Sequence, residues 1–203
     1  MARWEPDARP RLVAAALDLF TEQGYDDTTV AQIADRAGLT KSTFFRHFAD
    51  KREVLFGDGT MTGIVAGAIA AAPATATPLE AVAHALDAAG RQAFTLARRE
   101  FVARRRAVIA ANPELQEREA LKGLGLTASM TEALRRRGVP DLTACVAADL
   151  GALAVKIAYE RWCDAPDGDD FSEVARRALD EVRAALPPGL VGGDAEGTVR
   201  SRS

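Results

Sequence analysis

Apolar residues recur at helical spacing from close to the start of the chain. Leu12, Val13, Ala16, Leu17 and Phe20 form the stripe of an amphipathic helix over about residues 7 to 23, and Gly24 stands where a helix ends. In "DDTTVAQIADRAG", Thr28 or Thr29 can cap a second, short helix, with Gln32 as capping-box partner of Thr29 and Val30, Ile33, Ala34 and Ala37 along one side. Gly38 can adopt φ > 0 and turn the chain before Leu39 or Thr40 opens a third short helix. Two short helices joined in this way read as a helix-turn-helix over about 29–48. Asp50 is placed to cap a longer fourth helix that starts with "KREVLF" and runs through Gly57, Gly59, Gly63 and Gly67. Each glycine costs roughly 0.5–1 kcal/mol relative to alanine, so that helix is expected to pack closely against a neighbour or to act as a hinge.

"APATATP", 72–78, reads as a loop, and the pattern beyond it is helical throughout. The expected helices run from Pro78 to about Thr95, Arg98 to Ala111, Pro113 to Arg137, Pro140 to about Cys163 and Asp170 to Leu186, with Pro78, Pro113 and Pro140 each at a first helical position. No strand alternation appears, so the fold class is all-α. A helix-turn-helix domain of about 7–52 precedes a helical domain of 53–186, and the Gly/Pro-rich tail 187–203 is expected to be disordered. The segment Thr143 to Cys163 is apolar almost all round, which calls for cover on nearly every side. With the stripe Phe171, Val174, Ala175, Ala178, Leu179, Val182 and Leu186 it suggests a two-fold four-helix bundle between two copies of the chain.

With 203 residues, 48% of them apolar, the chain can bury a real core, and its net charge of −3 confines any polyanion site to a local patch. Such a patch exists. From Arg36 to Arg52 five bases (Arg36, Lys41, Arg46, Lys51, Arg52) face one acid, Asp50. Cys145 and Cys163, eighteen residues apart on one helix, stand about 27 Å apart and cannot bridge. The absence of an uncharged apolar run or an N-terminal h-region points to a cytoplasmic protein with no membrane partner.

The nonapeptide "TKSTFFRHF", 40–48, divides on a helical wheel. Phe44, Phe45 and Phe48 gather on one side as core, and Ser42, Thr43, Arg46 and His47 on the other as a contact surface. "TTVAQIADRAGLTKSTFFRHFADKREVLF", 28–56, preceded by "AALDLFTEQGYDD", resembles the N-terminal DNA-binding domain of the TetR (tetracycline repressor-like) family. The resemblance covers about the first 60 residues, and the rest agrees only in being helical. It implies that Thr29, Thr40, Thr43, Phe45, His47 and Lys51 touch double-stranded DNA. Thr40, Thr43 and His47 would meet phosphates, and Lys51 would do so from the first turn of the fourth helix. Lys41 and Ser42, at the exposed N-terminal turn of the third helix, are the candidates for base edges. The family usually has tyrosine where this chain has Phe45, so one phosphate contact is lost. The family also dimerises through its last two helices, as the apolar pattern suggests, and that geometry would require a palindromic operator.

Met61, Phe94, Phe101, Met130, Tyr159 and Trp162 are candidates to line a pocket for a small-molecule effector, whose binding the resemblance implies would release a repressor from DNA. For each, ordinary core is the stronger reading. The run Arg104 to Arg106 reads as a solvated face rather than an anion clamp. Catalysis finds little support: "GLGLTA", 123–128, has Gly-x-Gly-x-x-Ala spacing but no preceding strand, and His47 and His84 share no metal-ligand spacing with the cysteines. No cofactor or metal is expected. "DAPDGDD", 164–170, lacks the calcium-loop register and reads as a loop capping the last helix. The readings left beside a regulator are a helix-turn-helix that docks protein and an all-α enzyme.

Overall fold

The computed structural model describes residues 7–57, 59–165 and 168–186, and among these every regular element is helical. The tail 187–203 lies outside the described residues. Helix α1, Ala8–Gln23, buries Leu12, Ala16, Leu17 and Phe20 and closes at Gly24 with φ 88°. Thr29 caps α2, Val30–Arg36, with both halves of the capping box: its hydroxyl accepts from the Gln32 amide at 3.3 Å, and its own amide donates to Gln32 Oε1 at 2.8 Å. Thr28 is instead buried, its hydroxyl donating to the Gly24 carbonyl at 2.7 Å. Thr40 caps α3, Lys41–His47, accepting from the Thr43 amide at 3.1 Å. Between α2 and α3, Gly38 has φ 64°, so the turn needs glycine for its left-handed backbone.

The fourth helix departs from expectation. Asp50 does cap, its carboxylate accepting from the Glu53 amide at 3.1 Å, but the element it opens is a single 3-10 turn, Arg52–Leu55. Gly57 and Gly59, with φ of 68° and 84°, break the chain, and α4 begins only at Thr60–Ala71. Gly63 and Gly67 do lie within α4, yet a Cβ on either would meet nothing within 4 Å, so close packing is not their role.

The remaining helices are α5 Pro78–Ala93, α6 Arg99–Ala110, α7 Pro113–Arg136, α8 Asp141–Asp164 and α9 Phe171–Ala184. Pro78 and Pro113 open their helices behind caps from Thr77 and Asn112, whereas Pro140 is itself the cap residue of α8. Asp170 caps α9, accepting from the Ser172 amide at 3.0 Å. "GLGLTA" lies inside α7, away from any loop that could cradle a phosphate.

Two cores result. The first joins α1–α3 and the 3-10 turn to Val108 and Ile109 of α6 and Leu115 of α7. The second fills the space among α4, α5, α7, α8 and α9, and Phe101 packs against both. By length and composition α8 could cross a membrane, but here it packs on α5, α7 and α9, burying Ala144, Ala147, Ala148, Gly151, Ala154, Ala158 and Trp162. Its opposite face leaves Leu142, Val146 and Leu153 exposed at 77%, 48% and 46%. The α9 stripe expected to meet a second copy is spent inside the chain: Phe171, Val174, Ala175, Ala178, Leu179 and Val182 are all buried, with α9 against α5 and α8.

Candidate nucleic-acid interface

Helix α3 sits on the first core through Phe44 and Phe48, which are 0% and 3% exposed with ring centroids 5.4 Å apart. Lys41, Ser42, Phe45 and Arg46 form its outward face. Phe45 therefore leaves the aromatic core side expected for it: its ring meets Phe44 edge-on at 5.5 Å but is 50% exposed. A seven-residue helix touches the layer beneath it through about one residue per turn, and Phe45, a further 100° round from Phe44, points out. Thr43 and His47 lie on the flanks, half-buried. The Thr40 and Thr43 hydroxyls are 3.0 Å apart at the start of the helix, and Thr29 is exposed at the start of α2.

His47 closes α3. Burial first, then the charges of Arg46 and Arg9, depress its pKa below the usual 6.5, so the imidazole is neutral at pH 7. Its carbonyl accepts from Arg9 Nη1 at 3.2 Å, and its Nε2 is buried without a hydrogen-bond partner.

The basic patch counted along the sequence is largely neutralised in space. Arg36 makes a two-pronged contact with Glu22 at 2.9 and 2.8 Å, and Arg52 pairs with Asp50 at 2.8 Å and Glu114 at 3.4 Å. Lys51 does not open a helix with its ammonium free. Its Nζ donates to the carbonyls of Tyr25 at 2.6 Å and Thr28 at 2.9 Å and lies 4.0 Å over the Tyr25 ring, anchoring the loop before α2. Lys41 and Arg46 remain as the exposed cations of α3, Lys41 lying 5.9 Å over the Phe45 ring. Sequence reasoning puts Arg46 in the charge cluster and on the contact side of the helix but assigns it no contact of its own. The signal that singles it out is its place four residues after Ser42, on the face that Lys41 begins.

The arginine run is a connector rather than a solvated face. Arg104 pairs with Asp18 of α1 at 2.7 Å, and Arg105 donates to the Leu55 carbonyl at 2.7 Å and the Tyr159 hydroxyl at 3.3 Å. Arg106 reaches Asp164 at 2.5 Å. Of the six pocket candidates, Met130 and Trp162 are fully buried and Met61, Phe94, Phe101 and Tyr159 partly so. The Phe94 ring meets Tyr159 and Trp162 edge-on at 5.9 and 6.0 Å and stacks on Phe171 at 4.2 Å. Two clefts, one beside Arg99 and Arg161 and one beside His47 and Arg118, are lined by none of the six.

A capped pair of short helices at a glycine turn, with the second presenting a polar, cationic face around one exposed ring, defines a helix-turn-helix domain carried on a helical bundle. Residues 12–56 match the family model described as bacterial regulatory proteins, tetR family. The regulator TcmR of Streptomyces glaucescens is 42% identical over 81 residues, 39% of this chain and 36% of the relative. The match thus spans about a third of that relative's length. SmeT, the repressor of the Stenotrophomonas maltophilia multidrug efflux pump SmeDEF, superposes with a TM-score of 0.56 at 22% identity over 96% of each chain. A SmeT–triclosan complex reaches 0.60 at 22% identity over 97% of this chain and 98% of that one. The Thermus thermophilus repressor FadR, in complex with lauroyl-CoA, gives 0.51 at 22% identity over 88% of this chain and 95% of that one. The likeness to the TetR family is thus carried by the N-terminal domain, residues 12–56.

Proposed function

We propose that this protein is a cytoplasmic transcriptional regulator that binds duplex DNA as a homodimer and is released, as a repressor, by a small-molecule effector. The observation that carries the DNA reading is the outward face of α3, where Lys41, Ser42, Phe45 and Arg46 stand clear of the core. Lys41 and Ser42 read base edges, and Phe45 packs on a sugar or a thymine methyl. Thr29, Thr40, Thr43, Arg46 and His47 meet phosphates. Lys51 supports the interface from behind by holding the loop before α2. The dimer reading rests on the exposed α8 stripe of Leu142, Val146 and Leu153, and structural neighbours solved with triclosan and lauroyl-CoA support the effector.

Binding titrations on a selected duplex and on random duplex, across a salt series, test the assignment. Lys41→Ala should weaken the selected duplex more than the random one, because base contacts carry sequence information. Arg46→Ala should weaken both alike and lower the salt slope by about one. Equal losses for both variants on both duplexes would reject the roles, and salt-independent binding would favour a protein-docking helix-turn-helix.

A further inference from the structure

Behind the helix-turn-helix, where it faces α7, lies a cleft of about 410 Å³, within the ~300–1,000 Å³ range of small-molecule sites. Arg9, Arg52, Arg118 and Lys122 line it with His47, against two carboxylates, Asp50 and Glu53. Both carboxylates are already used. Asp50 accepts from the Glu53 amide at 3.1 Å and Arg52 Nη2 at 2.8 Å, while Glu53 bridges Arg118 and Lys122, the latter at 3.2 Å. The donors are not used up. His47 Nε2 and Arg118 Nε are buried without partners. Arg9 spends one N–H on the His47 carbonyl and lays its guanidinium 4.5 Å over the Phe48 ring, leaving most of its five-donor fork unassigned.

A cavity with surplus positive charge and surplus donors is complementary to a compact group that only accepts. We infer that this cleft binds a small molecule through a phosphate group, held between Arg9 and His47 on the DNA-binding side and Arg118 and Lys122 on α7. Because the two sides are separate elements, the helix-turn-helix and α7, occupancy ties one to the other, and phosphate and DNA affinities are then coupled reciprocally. That coupling rests on the DNA reading; phosphate binding itself does not.

The test titrates inorganic phosphate into the full chain at constant ionic strength set with chloride, following the imidazole resonances of the only two histidines, His47 and His84, by NMR. The groups facing His47 are Arg9 from α1, Arg46 from α3, Asp50, Arg52 and Glu53 from the turn, and Arg118 and Lys122 from α7. A dianion placed among them favours imidazolium, so the His47 resonance should shift saturably and its pKa rise, while His84 stays put. Arg118→Gln with Lys122→Gln should weaken binding roughly tenfold or more, as should Arg9→Gln, which leaves the Glu53 pairs intact. Lys41→Ala should not. Parallel shifts of both histidines, or undiminished binding by Arg9→Gln, would overturn the proposal. So would loss of phosphate binding in Lys41→Ala, which would place the phosphate on the outward face of α3 instead of in the cleft.

Discussion

The ammonium of Lys51 meets two carbonyls and a ring, while that of Lys41, ten residues earlier, has only the edge of a contact with Phe45. Two lysines in one charge cluster therefore have different work. Replacing Lys51 by alanine removes charge-assisted hydrogen bonds and should cost about 2–3 kcal/mol in urea unfolding. Lys41→Ala, at an exposed position, should stay within about 0.5 kcal/mol. Gly38→Ala should destabilise by about 1–2 kcal/mol, since its φ of 64° is left-handed. The cap of α2 was legible in the sequence because it depends on fixed spacing: Thr29 and Gln32 are three residues apart. Where Lys51 points was not, because a charge pattern gives the sign of a flexible side chain and not its direction.

Elements were legible where periodicity was long and uninterrupted, as in α1, α5, α7 and α8. The fourth helix failed because helical spacing continued across Gly57 and Gly59 while the backbone there turned left-handed. Periodicity records which residues are apolar, and a break made by two glycines leaves that record unchanged. Within α4 the remaining glycines have no structural partner. Gly63→Ala and Gly67→Ala should each stabilise the protein by about 0.5–1 kcal/mol, because alanine fits the helix and the added methyl meets nothing within 4 Å. Destabilisation of either variant in thermal or urea unfolding would show that α4 uses those positions for an approach this structure does not contain.

For the whole molecule, the apolar pattern of α8 and α9 signalled burial without saying whether the chain or a copy of it provides the cover. The α9 stripe lies against α5 and α8 of the same chain, and Leu142, Val146 and Leu153 of α8 are left facing out. A dimer through that α8 face predicts that Val146→Glu with Leu153→Glu sediments as monomer at concentrations where the parent chain is dimeric, and loses affinity for a two-half-site duplex. A variant still dimeric would move the interface elsewhere. The effector pocket stayed illegible for a related reason: Met130 and Trp162 are core in this structure, and a buried ring at helical spacing carries the same signature whether it packs or binds.

Sequence-specific DNA binding by a dimer is tested most simply by selecting bound sequences from a random duplex pool with the full chain. The outward face of α3, presented twice by a dimer, predicts an enriched inverted repeat with half-sites about one helical turn, roughly 34 Å, apart or a multiple of that spacing. A pool that emerges unenriched, or a single half-site with no symmetric mate, would contradict it.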